Sequence, residues 1–350
     1  MAFEPNFLTT MVGSVPYKNS DAICAEIVQS MDIPSWPQMV KKDFRENMYA
    51  QFGAVLPDIV IDDFSEKITF DTAGDLTNAL EEFYTQFLED NIDYFGLPRS
   101  HAIGFYTMMQ LLQQSSGEWV KGQVTGPISM GLTITDQSLR SSLYDDNLAD
   151  ALVKNAVMNA RWQIRKLKTV RPNVIIFVDE PYMASFGSAF ISLSREQVIS
   201  MLDEVFNAIH FEGGLAGVHC CANTDWSVLL ATKVDILNLD AYGYIDNLAL
   251  YPRELRQFID HGGLTAWGIV PNSGDIDKVT PSSLVRQLWE GINLICRKAA
   301  SRGVRIEPDE FRHKSLITTA CGLGSTTPEI ADKVIPVLIE TGQLLKEITD

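Results

Sequence analysis

Short apolar runs alternate along the chain with longer segments whose apolar residues recur at helical spacing. The runs are Phe7 to Gly13, Asp58 to Asp62, Trp119 to Val124, Val174 to Val178, Leu215 to Val218, Ile236 to Leu239, Leu264 to Val270 and Leu316 to Thr319. Most are β-branched and nearly continuous, as parallel strands covered on both faces should be. Between them, Ser194 and Gln197 form an S-x-x-Q capping box. Val198, Leu202, Val205 and Ile209 then fall on one helical stripe. Thr280-Pro281 and Thr327-Pro328 read as N-cap and first-turn proline pairs, the first followed by Leu284, Leu288, Ile292 and Ile295.

Eight strands alternating with helices predict a (β/α)8 TIM barrel with helical insertions. A barrel of this type typically needs about 250 residues. The 350 residues here therefore predict one catalytic barrel over 1–350, with an insertion at approximately 64–117 after the second strand. A doubly wound open sheet is the rival, but no G-x-G-x-x-G follows an early strand.

The net charge of −17 would repel phosphate backbones, which argues against a nucleic-acid partner. No apolar run approaches the roughly 20 residues of a membrane helix, and the first residues do not read as a signal peptide. A cytoplasmic location is the expectation. Five cysteines, an odd number without framework spacing, point away from a disulfide scaffold and towards metal ligation or catalysis.

In a barrel the chemistry belongs just after the C-terminal ends of the strands. Polar and metal-binding residue types stand at almost every such exit: Ser14, Gln123, Asp179-Glu180, His219-Cys220-Cys221, Asp240, Asn272 and Cys321. His-x-Cys sends two side chains to one face of a strand exit, and Cys321 supplies a third ligand from the last strand. Imidazole and thiolate suit zinc, and three protein ligands leave a fourth position open, as in catalytic sites. The same residues are also compatible with a core histidine and small buried thiols. Alternation turns Cys220 away from Cys221, into the barrel wall. Asp179 and Glu180 fit recognition of a substrate ammonium group, acid–base work, or the first turn of a helix. Asp240 fits a metal neighbour, a ligand or a loop cap. Ser14, after Gly13, offers a hydroxyl and backbone N–H groups to a carboxylate.

Thr9-Thr10-Met11-Val12-Gly13-Ser14-Val15-Pro16, Asp179-Glu180-Pro181, His219-Cys220-Cys221 and Thr319-Ala320-Cys321-Gly322-Leu323 resemble, in this order, motifs of the catalytic barrel of cobalamin-independent methionine synthases. The resemblance runs from residue 9 to about residue 330. It implies a barrel of the kind shared with uroporphyrinogen decarboxylase and corrinoid-dependent methyltransferases. It also implies one Zn2+ per chain on His219, Cys221 and Cys321, activating homocysteine for methylation to methionine. Ser14 would contact the substrate carboxylate and Asp179 its ammonium group, with Glu180 and Gln123 as further substrate contacts. The family's additional zinc ligand, a glutamate, falls at Asp240, whose side chain is one methylene shorter. The long enzymes carry a second, N-terminal barrel, whereas 350 residues hold one, so the expected resemblance is to the short, core-only branch. There the expected methyl donor is a methylated corrinoid protein or methylcobalamin, with methyl-tetrahydrofolate as the alternative. A methyltransferase from a corrinoid protein to coenzyme M is the nearest rival, and its sulfonate acceptor has no ammonium group to match Asp179. A metal-free decarboxylase and a non-catalytic zinc-binding barrel are more distant ones.

Overall fold

The computed structural model describes residues 3–188 and 191–349. Its nine strands are β1 (Leu8–Thr9), β2 (Ile59–Asp62), β3 (Lys67–Phe70), β4 (Trp119–Thr125), β5 (Asn173–Asp179), β6 (Leu215–Cys220), β7 (Ile236–Leu239), β8 (Leu264–Val270) and β9 (Ser315–Thr319). Seven of them form one curled parallel sheet in the order β1-β9-β8-β7-β6-β5-β4, with helices packed outside. The fold is an α/β barrel, as the alternation of apolar runs predicts.

The second barrel position is filled by a segment other than the one expected. Asp58 to Asp62 lies outside the barrel, in an antiparallel hairpin of β2 and β3. Its side chains alternate between half-buried and exposed, the pattern of a ribbon with one covered face. The gap between β1 and β4 is bridged instead by residues 33–38. Ile33 N–H donates to Thr9 O at 3.0 Å, and Lys121 N–H to Pro34 O at 2.8 Å. Trp36 N–H donates to Lys121 O at 3.3 Å, and Gln38 N–H to Gly13 O at 3.1 Å. Pro34 and Pro37 have no N–H to give, so the ladder is broken and no regular strand forms.

The helix signals are realised. Ser194 and Gln197 close their capping box ahead of the helix Arg195–Phe211, and Thr280 caps Pro281–Ser301. Among the described residues no helix is long and apolar enough to cross a membrane.

Alternation along each strand separates two cores. Ile175, Phe177, Ile236, Leu264, Ala266 and Leu316 fill the floor of the barrel. Ala216, Val218 and Cys220 face the helices. Each large side chain withdrawn from water contributes about 1.5–3 kcal/mol. Gly217 is required by this packing, since a Cβ there would stand 2.2 Å from the Phe177 ring. Above the apolar floor the inward positions turn polar, and the site begins there.

Candidate metal centre and its cleft

His219 is the last inward residue of β6, where register sets it beside Asp179 of β5 and Asn238 of β7. Asn238 is fully buried. Its amide nitrogen donates to Ala266 O at 2.8 Å and to Thr318 Oγ1 at 2.9 Å. Those two bonds fix the amide orientation and leave its oxygen facing His219 Nδ1 at 2.6 Å. The imidazole proton therefore sits on Nδ1 and the lone pair on Nε2. Nε2 is buried and has no hydrogen-bond partner.

That orphaned nitrogen faces two sulfurs. One ligand atom each from His219, Cys221 and Cys321 lies within 4.8 Å of the others. A tetrahedral zinc site needs ligand separations of roughly 3.5–3.8 Å, so small side-chain adjustments suffice. The Cys221 thiol is pulled down to about 4 by Cys321 and His219 facing it. Cys321 is pushed far up by its hydrogen bond to Cys221 and by burial. One proton thus serves two sulfurs, a place where a divalent cation would substitute for it. Burial opposes charge on His219, but the Cys221 sulfur and the Asp179 carboxylate outweigh it and raise the imidazole's pKa. The residues present fit a His/Cys/Cys metal site.

The three residues open onto a cleft of about 390 Å³ at the C-terminal mouth of the barrel, also lined by Ser14, Gln38, Lys41, Asn47 and Asp179. Ser14 is half-buried, and its Oγ accepts from Gly324 N–H at 3.2 Å. Gly322 has no room for a Cβ, which would come 2.2 Å from Ser14 Oγ. The first and last strand exits are therefore packed together around this serine. Asp179 is buried with one oxygen, Oδ1, unpartnered. Burial pushes its carboxyl up to about 6, against the pull of His219 and Lys121.

The remaining residues named from sequence lie elsewhere. Glu180 is fully buried and turned from the cleft. Its oxygens accept from Ile128 N–H at 3.0 Å, Ser129 N–H at 2.7 Å and Ser129 Oγ at 2.6 Å, at the start of the helix Pro127–Thr133. Gln123 is also fully buried, below the cleft, where its amide donates to Trp36 O at 3.1 Å. Asp240 caps the helix Ala241–Leu248 by accepting from Gly243 N–H at 2.7 Å, and it stands outside the His/Cys/Cys group. Cys220 is buried in the outer core, as alternation predicts.

Sequence reasoning did not find Asn238, Lys121 or the loop carrying Gln38, Lys41 and Asn47. Asn238 and Lys121 each leave a trace, a polar residue inside an apolar strand. The loop leaves none, because it reaches the cleft only through tertiary contacts such as Thr125 Oγ1 to Met48 O at 2.8 Å.

No family model matches the chain, and a search of curated proteins finds no match. Solved structures do match it. A B12-independent methionine synthase from Shewanella sp. W3-18-1, in complex with selenomethionine, aligns over 98% of this chain and 98% of its own, with a TM-score of 0.54 and 14% identity. A putative vitamin-B12-independent methionine synthase from Listeria monocytogenes aligns over 99% of both chains, with a TM-score of 0.49 and 11% identity. The chain is similar to the first of these in fold.

Proposed function

We propose that this protein is a zinc-dependent methyltransferase that methylates the thiol of homocysteine to give methionine. The observation that carries the reading is the buried, unpartnered His219 Nε2 directed at Cys221 and Cys321 on the floor of a cleft. The methionine synthase motifs in the sequence and the similarity in fold support it. His219, Cys221 and Cys321 would hold one zinc ion. Bound there, zinc supplies the positive charge that strips the proton from a substrate thiol at neutral pH, where a free thiol near 8.5 stays protonated.

The chain's own residues do the rest. Asn238 keeps the proton on His219 Nδ1, so Nε2 remains a donor of its lone pair. Asp179 offers an unpartnered carboxylate oxygen to the substrate ammonium group. Ser14 and the adjoining loop face the substrate carboxylate. Together they would hold the sulfur in line with the donor methyl, turning a bimolecular encounter into an effectively unimolecular step. An acceptor with a sulfonate and no ammonium group, such as coenzyme M, would leave Asp179 unmatched. A methylated corrinoid donor needs no acid at its leaving group, whereas a methyl-folate does. We take the corrinoid protein or methylcobalamin as donor.

The test is methyl transfer to homocysteine with methylcobalamin and methyl-tetrahydrofolate supplied separately. The protein should carry about one zinc per chain and form methionine from the cobalamin donor. Cys321→Ser should lose both metal and activity while keeping the fold. Full activity in zinc-free Cys321→Ser would refute the proposal.

A further inference from the structure

Among the described residues, Lys121 is the one lysine in the buried set, with no exposed surface. It points into the barrel from β4, just below the polar layer. A buried ammonium is costly unless each N–H is matched. Here Nζ donates to Val12 O at 2.7 Å and to Gln123 Oε1 at 3.4 Å. It also sits 4.3 Å from the centre of the Phe177 ring, a cation–π contact.

These contacts reach both sides of the cleft. Val12 and Gly13 lead directly into Ser14, and Gly13 lies so close to Gln123 that a Cβ would stand 2.9 Å from its Cδ. Gln123 in turn donates to Trp36 O, in the segment that closes the barrel. Phe177 is the inward residue of β5 immediately before Asp179. The Lys121 charge also attracts the Asp179 carboxylate. Neither Lys121 nor Gln123 lines the cleft.

We propose that Lys121 is a positioning residue that fixes the spacing between Ser14 and Asp179, the grips for the two charged ends of an α-amino acid, and so sets the preference for a zwitterionic thiol. The inference rests on the reading that homocysteine is the acceptor. Lys121 acts through the Val12–Ser14 exit and through β5, not by touching substrate.

The experiment measures calorimetric binding of three thiols to the zinc-loaded full chain: homocysteine, 3-aminopropane-1-thiol without the carboxylate, and 4-sulfanylbutanoate without the ammonium. The parent should bind homocysteine more tightly than either truncated thiol. Lys121→Met, close in volume, should keep one zinc but lose about tenfold to a hundredfold in homocysteine affinity, the worth of a hydrogen bond to a charged group. Its affinity for the truncated thiols should hardly change, so the margin collapses. A margin that survives in Lys121→Met overturns the inference and leaves the proposed function standing. Zinc loss, or equal weakening of all three thiols, marks a merely structural role and also overturns it. A parent with no preference for homocysteine refutes the underlying reading instead. Should Lys121→Met fail to fold, Phe177→Leu removes the β5 side of the same linkage, the cation–π contact, with the ammonium in place. A collapsed margin there supports the inference and an intact one overturns it.

Discussion

Asn238 shows how one uncharged side chain orients the imidazole of the candidate metal site. Its amide is locked by Ala266 O and Thr318 Oγ1, so the oxygen has one orientation and His219 has one tautomer. Without that acceptor the ring is free to rotate or to place its proton on Nε2, where it blocks a metal. Partners of this kind typically account for 10–100-fold in metal affinity. Asn238→Ala should therefore bind zinc about 10–100-fold more weakly in competition with a chromophoric chelator, while still reaching one zinc at saturation. Parent-like affinity in that variant would mean that the two sulfurs alone orient the imidazole. The same residue illustrates what a sequence conceals. His219, Cys221 and Cys321 are legible because their chemistry is unusual at a strand exit. An asparagine within Ile236–Leu239 is noticed only once register has set it beside the histidine.

The helix Pro127–Thr133 has no side-chain cap from its own Gly126, and Glu180 from the next strand exit serves instead. Gly126 itself is small of necessity, since a Cβ would come 2.1 Å from Glu180 Oε1. Glu180→Gln would set an NH2 group against donors that need an acceptor. The expected loss is about 2–4 kcal/mol of unfolding free energy, given the cost of leaving buried N–H groups unmatched. Urea unfolding measures it, and KM for the thiol should stay at the parent value. A raised KM with unchanged stability would return Glu180 to the substrate. From sequence the two roles are indistinguishable, because strand alternation stops at Asp179 and no longer says where the next side chain points. The exchange of Asp58 to Asp62 for residues 33–38 has a related cause. Periodicity sees a strand where apolar residues alternate, and excludes one where prolines stand at 34 and 37. The barrel accepts the second segment because its free N–H and C=O groups meet β1 and β4 where they are needed. The six regular strands from β4 to β9 are legible because each is an apolar run buried on both faces, a pattern with few other readings.

At the scale of the whole molecule, Cys221 and Cys321 stand roughly 100 residues apart in the chain, just past the ends of β6 and β9, which are separated in the sheet by β7 and β8. Curling the sheet brings β6 and β9 to face each other across the barrel mouth, so an ion held there links the later strands across the opening. Metal that binds the folded chain and not the unfolded one stabilises by RT ln(1 + [L]/Kd), or about 4 kcal/mol when free zinc is 1,000 times its Kd. Spread over the unfolding entropy of a chain this long, that corresponds to a shift of about 5 °C in Tm. Stripping zinc with a strong chelator should lower Tm by about that amount, and zinc added back should restore it. Cys221→Ser, which lacks one sulfur of the group, should start near the stripped value and respond weakly to either treatment. Calorimetric scans of both proteins, with and without chelator, separate this from a general effect of the reagent. A chelator shift of equal size in Cys221→Ser would mean that the stabilising ion sits elsewhere. No shift in the parent would mean that the His/Cys/Cys group does not hold metal in the folded chain, because two thiols and an imidazole already assembled cannot bind zinc tightly without raising the stability of the state that assembles them.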